Sequence, residues 1–150
     1  MTSRFVKGLL IFGFVFAGPL SQAQSVRVVV KNPFSNVTAV ETTLALQPLD
    51  SAGTVSLRAF QMWQSLGKLK YIGDAHGITS VDNVKSDLFI VSDREMKAYG
   101  WCFKVDDQVP SVYADEFVLE RSHQLIEWYY GYAHYLNGQW IGMCLEDFGH

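Results

Sequence analysis

The four histidines are the side chains best suited to metal binding or acid–base chemistry, and they are widely separated. They are His76, His123, His134 and His150. None has a partner at the HxxxH spacing of a helix or the HxH spacing of a strand, which would bring two rings to one face. A metal site would need several separate loops to converge. We therefore expect no metal site, and ordinary hydrogen bonding or solvent contact for these rings.

Two cysteines, Cys102 and Cys144, are candidates for a zinc pair, a nucleophile or a disulfide. No CxxC motif is present, and His134 is the only histidine near either cysteine, which disfavours zinc. A nucleophilic Cys102 activated by His134 is a second option. Each cysteine lies in a strand-like run, and a pair exported to an oxidising compartment tends to become oxidised. We predict a Cys102–Cys144 disulfide joining neighbouring strands, with two buried free thiols as the alternative.

Carboxylates and serines form no recognisable catalytic pattern. Asp106, Asp107 and Asp115 are close enough for an acidic calcium loop, but their spacing differs from that of an EF-hand and favours a solvated loop. No GxSxG elbow is present, and nothing favours a pair of glycosidase carboxylates. We predict that the protein is not an enzyme, with no catalytic residues and no resident cofactor.

Residues 128–135 (WYYGYAHY) are the most unusual stretch in composition. In a strand, Tyr130 and Tyr132 point to one face, while Tyr129 and Gly131 point to the other. Packing in the core accounts for one face. An aromatic platform for a ligand or a partner is the alternative account of the other.

The elements that position these residues follow from hydrophobic periodicity. Strands are predicted at residues 26–31, 37–46, 77–81, 88–91, 96–105, 116–119 and 125–130, with Asn137-Gly138 turning a final hairpin between residues 130–136 and 139–145. One helix is predicted from Val55 to Leu66, with Thr54 as its N-cap and Gly67 as its stop. This order predicts an α+β fold in which one helix packs on a mixed sheet, as in a β-grasp arrangement with an extra C-terminal hairpin.

The N-terminus has the pattern of a secretory signal. Arg4 and Lys7 precede the apolar run 8–17, and Ser21-Gln22-Ala23 offers a cleavage site. A short membrane anchor or a buried helix is the alternative. We predict a signal peptide at 1–23, one domain at 24–150, no stable anchor after cleavage, and a secreted or periplasmic location. Without Arg4 and Lys7 the chain has 10 basic and 15 acidic residues, so we expect no nucleic-acid partner.

The stretch 100–130 resembles the transcobalamin C-terminal-like domain family, a small β-grasp module. Gly100-Trp101, Val105-Asp106 and Asp115 carry the first part of the resemblance, followed by Leu119, Ile126, Trp128 and Tyr130. Asp106-Asp107 stands where the family has Asn-Gly, Ser122-His123 stands where it has Gly-Asp, and residues 131–150 lie outside its pattern. The resemblance implies a non-enzymatic domain, which in the vitamin B12 carriers helps to cover a corrinoid.

These observations predict a binding module for a small ligand, with a corrinoid as one candidate, or for a protein partner. Its expected site is made of Trp101, Trp128, Tyr130 and Tyr132. A structural or interaction protein of the cell envelope, without a small-molecule site, is the alternative.

Overall fold

The computed structural model describes residues 24–35 and 37–146, so the predicted signal peptide at 1–23 lies outside the described residues. The strands are β1 Ser25–Lys31, β2 Thr38–Ala45, β3 Tyr71–Gly73, β4 Ile78–Val81, β5 Val84–Lys85, β6 Asp87–Ser92, β7 Glu95–Val105, β8 Leu125–Leu136 and β9 Gln139–Glu146. The helix α1 spans Ala52–Ser65 and follows β2. The predicted α+β class is confirmed: most of the described chain is sheet, and one helix packs on it.

The main sheet has the strand order β2-β1-β8-β7-β6. β1 runs parallel to β8, with Val28 opposite Ile126, and its other neighbour β2 is antiparallel. β9 pairs with the later half of β8, where Gly131 lies opposite Glu146. β1 and β9 therefore pair with the same edge of β8, β1 with its first part and β9 with its later part. β3, β4 and β5 form a separate small sheet.

The helix begins at Ala52, earlier than predicted, because Ser51 rather than Thr54 is its N-cap. The Ser51 hydroxyl accepts a hydrogen bond from the Thr54 N–H at 3.1 Å, and the Ser51 N–H donates to the Thr54 hydroxyl at 2.9 Å. This reciprocal capping box stabilises the first turn, so the predicted cap Thr54 is the third helical residue. Gly67, at φ 66°, follows the helix as predicted.

The core lies between the helix and one face of the main sheet. Phe60 and Trp63 point down from the helix and contact each other edge to face, with ring centroids 5.5 Å apart. Phe60 also meets Trp128 of β8 at 6.0 Å, and Val28 of β1 is fully buried beside them. The predicted apolar stripe of the helix is therefore packed in the core.

On the opposite face, β9 bends over β8 and is tied to β7. Cys102 of β7 and Cys144 of β9 form the predicted disulfide, with Cα atoms 5.7 Å apart. We predicted that the disulfide would join neighbouring strands. This part of the prediction is wrong, because β8 lies between β7 and β9. Gly131 of β8 makes this crossing feasible: a Cβ atom there would lie 2.9 Å from the Leu145 carbonyl oxygen and 3.4 Å from the Cys102 sulfur.

Two further predictions about elements differ from the structure. Residues 116–119, predicted as a strand, form a loop that makes a single β-bridge, from Val118 to Ser51. The strand predicted at 125–130 and the first arm of the hairpin are one continuous strand, β8. Within the described ranges, no helix is long and apolar enough to cross a membrane.

Candidate functional site

An open apolar groove of about 960 Å³ lies where the ends of several elements meet. Its floor contains Trp101 and Phe103 of β7 and Trp128 of β8. The rings of Phe103 and Trp128 pack with centroids 5.4 Å apart. Both indole nitrogens are already satisfied: Trp128 donates to the Ser56 hydroxyl at 2.8 Å, and Trp101 donates to the Val84 carbonyl at 2.9 Å. The side chains of the floor therefore offer a ligand aromatic surface rather than hydrogen-bond donors.

Two loops and the disulfide form the walls of the groove. One wall is the β3–β4 turn around His76, and the second is the loop 109–113. Met143 and the Cys102–Cys144 disulfide contribute on the side of β9. The groove is larger than two hollows elsewhere on the described chain, of about 210 and 680 Å³. The groove is within the size range of small-ligand sites.

Hydrogen bonds at the start of the helix hold the two loops together. The Ala114 N–H donates to the His76 carbonyl at 3.2 Å, and the Gly53 N–H donates to the Ala114 carbonyl at 2.7 Å. Gly53 has no room for a side chain, because a Cβ atom there would overlap the Ala75 carbonyl and approach the Asp115 nitrogen. The walls are thus fixed by close backbone contacts with the first turn of α1.

The groove is lined by one histidine and two carboxylates, besides the hydroxyl-bearing side chains of Thr79, Ser111 and Tyr113. The His76 ring stacks on Tyr113 at 3.8 Å, and its Nδ1 lies 3.1 Å from an Asp115 carboxylate oxygen. Asp74 and Glu116 also line the groove, and no lysine or arginine among the described residues does. Among residues 24–35 and 37–146, no group of three His, Cys, Asp or Glu side chains could hold a metal ion. The rim is therefore acidic, and an apolar ligand carrying a positive charge would suit it.

The groove contains two of the four predicted site residues, and a third, Tyr130, contacts Trp101 edge to face with ring centroids 5.7 Å apart. Trp101 and Trp128 both line the groove, whereas Tyr130 and Tyr132 lie further along the same face of the sheet, outside it. The two tyrosines stack with Tyr99 at centroid distances of 5.9 and 5.4 Å. The Tyr130 hydroxyl donates to the Lys85 carbonyl at 2.6 Å, which fixes β5 over this aromatic row.

Charged groups brace the sheet on the face opposite the helix. The Lys104 ammonium lies 2.9 Å from Glu127 and 2.7 Å from Glu146. Burial opposes the charged form, but the hydrogen bonds that Lys104 donates to Glu146 and Glu127 outweigh it and hold the pKa of Lys104 above its ordinary value. These contacts join β7 and β8 to the last residue of β9.

The Tyr129 side chain holds the end of β9 on β8 by a hydrogen bond. Its hydroxyl donates to the Cys144 carbonyl at 2.7 Å. Burial, together with the nearby Glu146 carboxylate, raises the pKa of Tyr129 to about 12, so the phenol remains a donor at neutral pH. The disulfide wall of the groove is thereby held by one covalent bond and one partly buried hydrogen bond.

Sequence reasoning missed Phe103, His76 and the loop 109–113 as parts of the site. In the sequence His76 is an isolated histidine. In the structure its ring stacks on Tyr113, which belongs to a different loop. The contact between His76 Nδ1 and the Asp115 carboxylate joins the same two segments of the chain. No local spacing in the sequence signals such a contact. A search of family models and of curated proteins finds no match for this chain.

Proposed function

We propose that this chain is a non-enzymatic binding module, secreted or periplasmic, whose groove takes an apolar ligand. The observation that carries the proposal is the groove itself, an aromatic floor with apolar walls and a few polar groups at the rim. Burying apolar ligand surface there is the dominant favourable term, and the acidic rim orients the ligand. Trp101 and Trp128 belong to this site, while Tyr130 bonds to the neighbouring strand β5 and Tyr132 packs on Tyr99.

The order of elements supports a β-grasp arrangement, which is the finer part of the fold proposal. An initial hairpin β1–β2 is followed by the helix, and β8 then lies beside β1 in parallel. The same order favours the proposed kinship with the transcobalamin C-terminal-like domains. On that kinship a corrinoid is one ligand to test, and the signal-like segment together with the disulfide favours export.

A structural or interaction protein of the envelope is the second candidate, favoured by β6. Its four central residues, Leu88 to Val91, are between 47% and 68% exposed, so both faces of this edge strand are apolar and open. Such a surface is unusual unless a partner covers it. Under this candidate the purified chain would self-associate or require a partner, and the groove would bind nothing.

Titration with Nile red, a neutral dye that fluoresces in apolar sites, tests the proposal. We expect saturable binding to the disulfide-intact chain. Val112→Asp, which places a charge on the groove wall, should weaken binding about tenfold or more. Val37→Asp is the matched control, because Val37 is exposed and away from the groove. A corrinoid panel, read by tryptophan fluorescence, should compete with the dye if a corrinoid is the ligand. Absence of dye binding, or equal loss in both variants, would refute the groove as the site.

A further inference from the structure

One edge of β7 is paired for only half of its length. β6 pairs with β7 from Glu95 as far as Tyr99, where Asp87 is the partner. Beyond this point no described strand pairs with that edge, until the Val105–Gln108 bridge that closes the turn at Asp106-Asp107. Residues 101–103 therefore present an open strand edge.

The direction of the backbone groups on this edge follows from the bonds at its end. The Asp106 N–H donates to the Leu125 carbonyl, toward β8, whereas the Val105 N–H and carbonyl both bond with Gln108 on the other side. In an antiparallel pair these directions alternate along the strand. The N–H and carbonyl groups of Trp101 and Phe103 thus point away from β8, and they have no hydrogen-bond partner among the described residues.

Proline prevents the following loop from closing this edge. Continuing the register in which Val105 opposes Gln108 would set Pro110 opposite Phe103. Because proline has no N–H, it cannot donate to the Phe103 carbonyl, and the loop 109–113 separates from β7 to become the groove wall. The groove is the space that this separation leaves.

The groove opens onto the strand edge, not onto one face of the sheet. Trp101, Cys102 and Phe103 are consecutive, and their side chains alternate between the two faces, yet all three line the groove. A ligand that contacts all three must lie alongside the strand. An extended peptide does so, and its backbone also pairs with the two outward N–H groups and two outward carbonyls, which a compact apolar molecule cannot do.

We propose that the groove binds an extended peptide, added as a strand to the Trp101–Phe103 edge of β7, with apolar side chains at alternate positions and a basic residue near the rim. The basic residue follows from charge complementarity, because Asp74 and Glu116 line the groove and no lysine or arginine does in the part of the chain that the structure describes. The inference rests on the proposed function and specifies its ligand class.

Selection of random dodecapeptides on the immobilised, disulfide-intact full chain, followed by hydrogen exchange of single amides, tests this inference. We expect selected peptides to displace Nile red. They should slow exchange of the Trp101 and Phe103 amides about tenfold or more, while the Cys102 and Lys104 amides, already paired with β8, change little. N-methylation of alternate peptide residues should weaken binding about tenfold, and N-methylation of the intervening residues should not.

The outcomes separate this inference from the proposed function. Nile red binding without any selected groove peptide, or a groove peptide that leaves the Trp101 and Phe103 amides unprotected, overturns the peptide inference alone. If concentrating the chain without peptide already protects these amides, the occupant of the edge is a second copy of the chain. That outcome also overturns the peptide inference. Failure of both dye and peptides to bind overturns both proposals.

Discussion

Gly53 fixes the position of the groove walls because it leaves no space between the helix and two loops. Its missing side chain lets the Ala75 carbonyl and the Asp115 backbone nitrogen approach the first turn of α1. A methyl group there must displace the backbone of both walls, which is harder than displacing a flexible side chain. The residue therefore affects the site without contacting a ligand.

Gly53→Ala should lower the free energy of unfolding by about 1–3 kcal/mol and weaken Nile red binding. Gly77→Ala, in the wall itself, is the control: a Cβ atom there meets nothing within 4 Å, so we expect a change below about 0.5 kcal/mol. Urea unfolding and dye titration of both variants provide the measurements. Equal stability of the two variants would contradict this role of Gly53.

At the scale of elements, the start of the helix is stabilised by an ion pair that sequence reasoning overlooked. Asp50, just before the N-cap, is buried, and its carboxylate accepts two hydrogen bonds from Arg58 at 2.9 and 2.7 Å. Burial alone would raise the pKa of Asp50, but the bonds from Arg58 and from the Gln47 N–H outweigh it and lower the pKa below 3.8. The folded state thus favours the ionised carboxyl.

Asp50→Asn should therefore lower the free energy of unfolding at pH 7 by about 2 kcal/mol. Because the folded-state pKa is depressed, the contribution of Asp50 is complete above the unfolded value of 3.8 and declines as the pH falls through the lower folded value. The difference between wild type and variant should shrink accordingly in urea unfolding from pH 7 to pH 2. Asp107→Asn, at a largely exposed carboxylate, should change stability by under about 0.5 kcal/mol. A difference independent of pH would exclude the ion pair as its cause.

The sequence predicted elements whose signals are local and missed those that depend on distant contacts. The Phe60 and Trp63 stripe and the Asn137-Gly138 turn are local patterns, and both the helix and the hairpin are present, although the helix begins at Ala52 instead of Val55. The N-cap was predicted at Thr54 instead of Ser51 because both residue types are good caps, and only the fold of the preceding loop decides between them. The groove was missed because its walls come from residues 73–79, 109–116 and 143–144, which share no periodicity.

At the scale of the whole molecule, the disulfide joins the end of β9 to the rest of the sheet. Cys102 and Cys144 are 42 residues apart in sequence, and the segment between them contains all of β8. Closing a loop of this length restricts the unfolded chain and stabilises the fold by about 4 kcal/mol in the chain-entropy model. The same bond contributes to a groove wall, so stability and binding depend on it together.

Replacing both cysteines by serine should lower the free energy of unfolding by about 4 kcal/mol and reduce Nile red affinity. Thiol reductant should destabilise the wild type in the same way and leave the double variant unchanged, which is the internal control. Intact mass without reductant should show the wild type two protons lighter than its reduced form. Equal stability of the oxidised and reduced protein would contradict the assigned role.

The parallel pairing of β1 with β8 also determines when the fold can be completed during synthesis. Val28 pairs with Ile126, so roughly a hundred residues must be made after the first strand before its central neighbour exists. Until then Phe60 and Trp63 have no Trp128 to cover them, and the early half of the chain carries its apolar stripe exposed. We therefore expect the fold to be completed after translation of β8, not during synthesis of the first strands. Because the pairing of β1 with β8 is long-range, we also expect refolding to be slow for a chain of this size, on the millisecond-to-second scale. Under the proposed export, this late completion would keep the chain unfolded, and thus fit for transport, until its C-terminal strands are made.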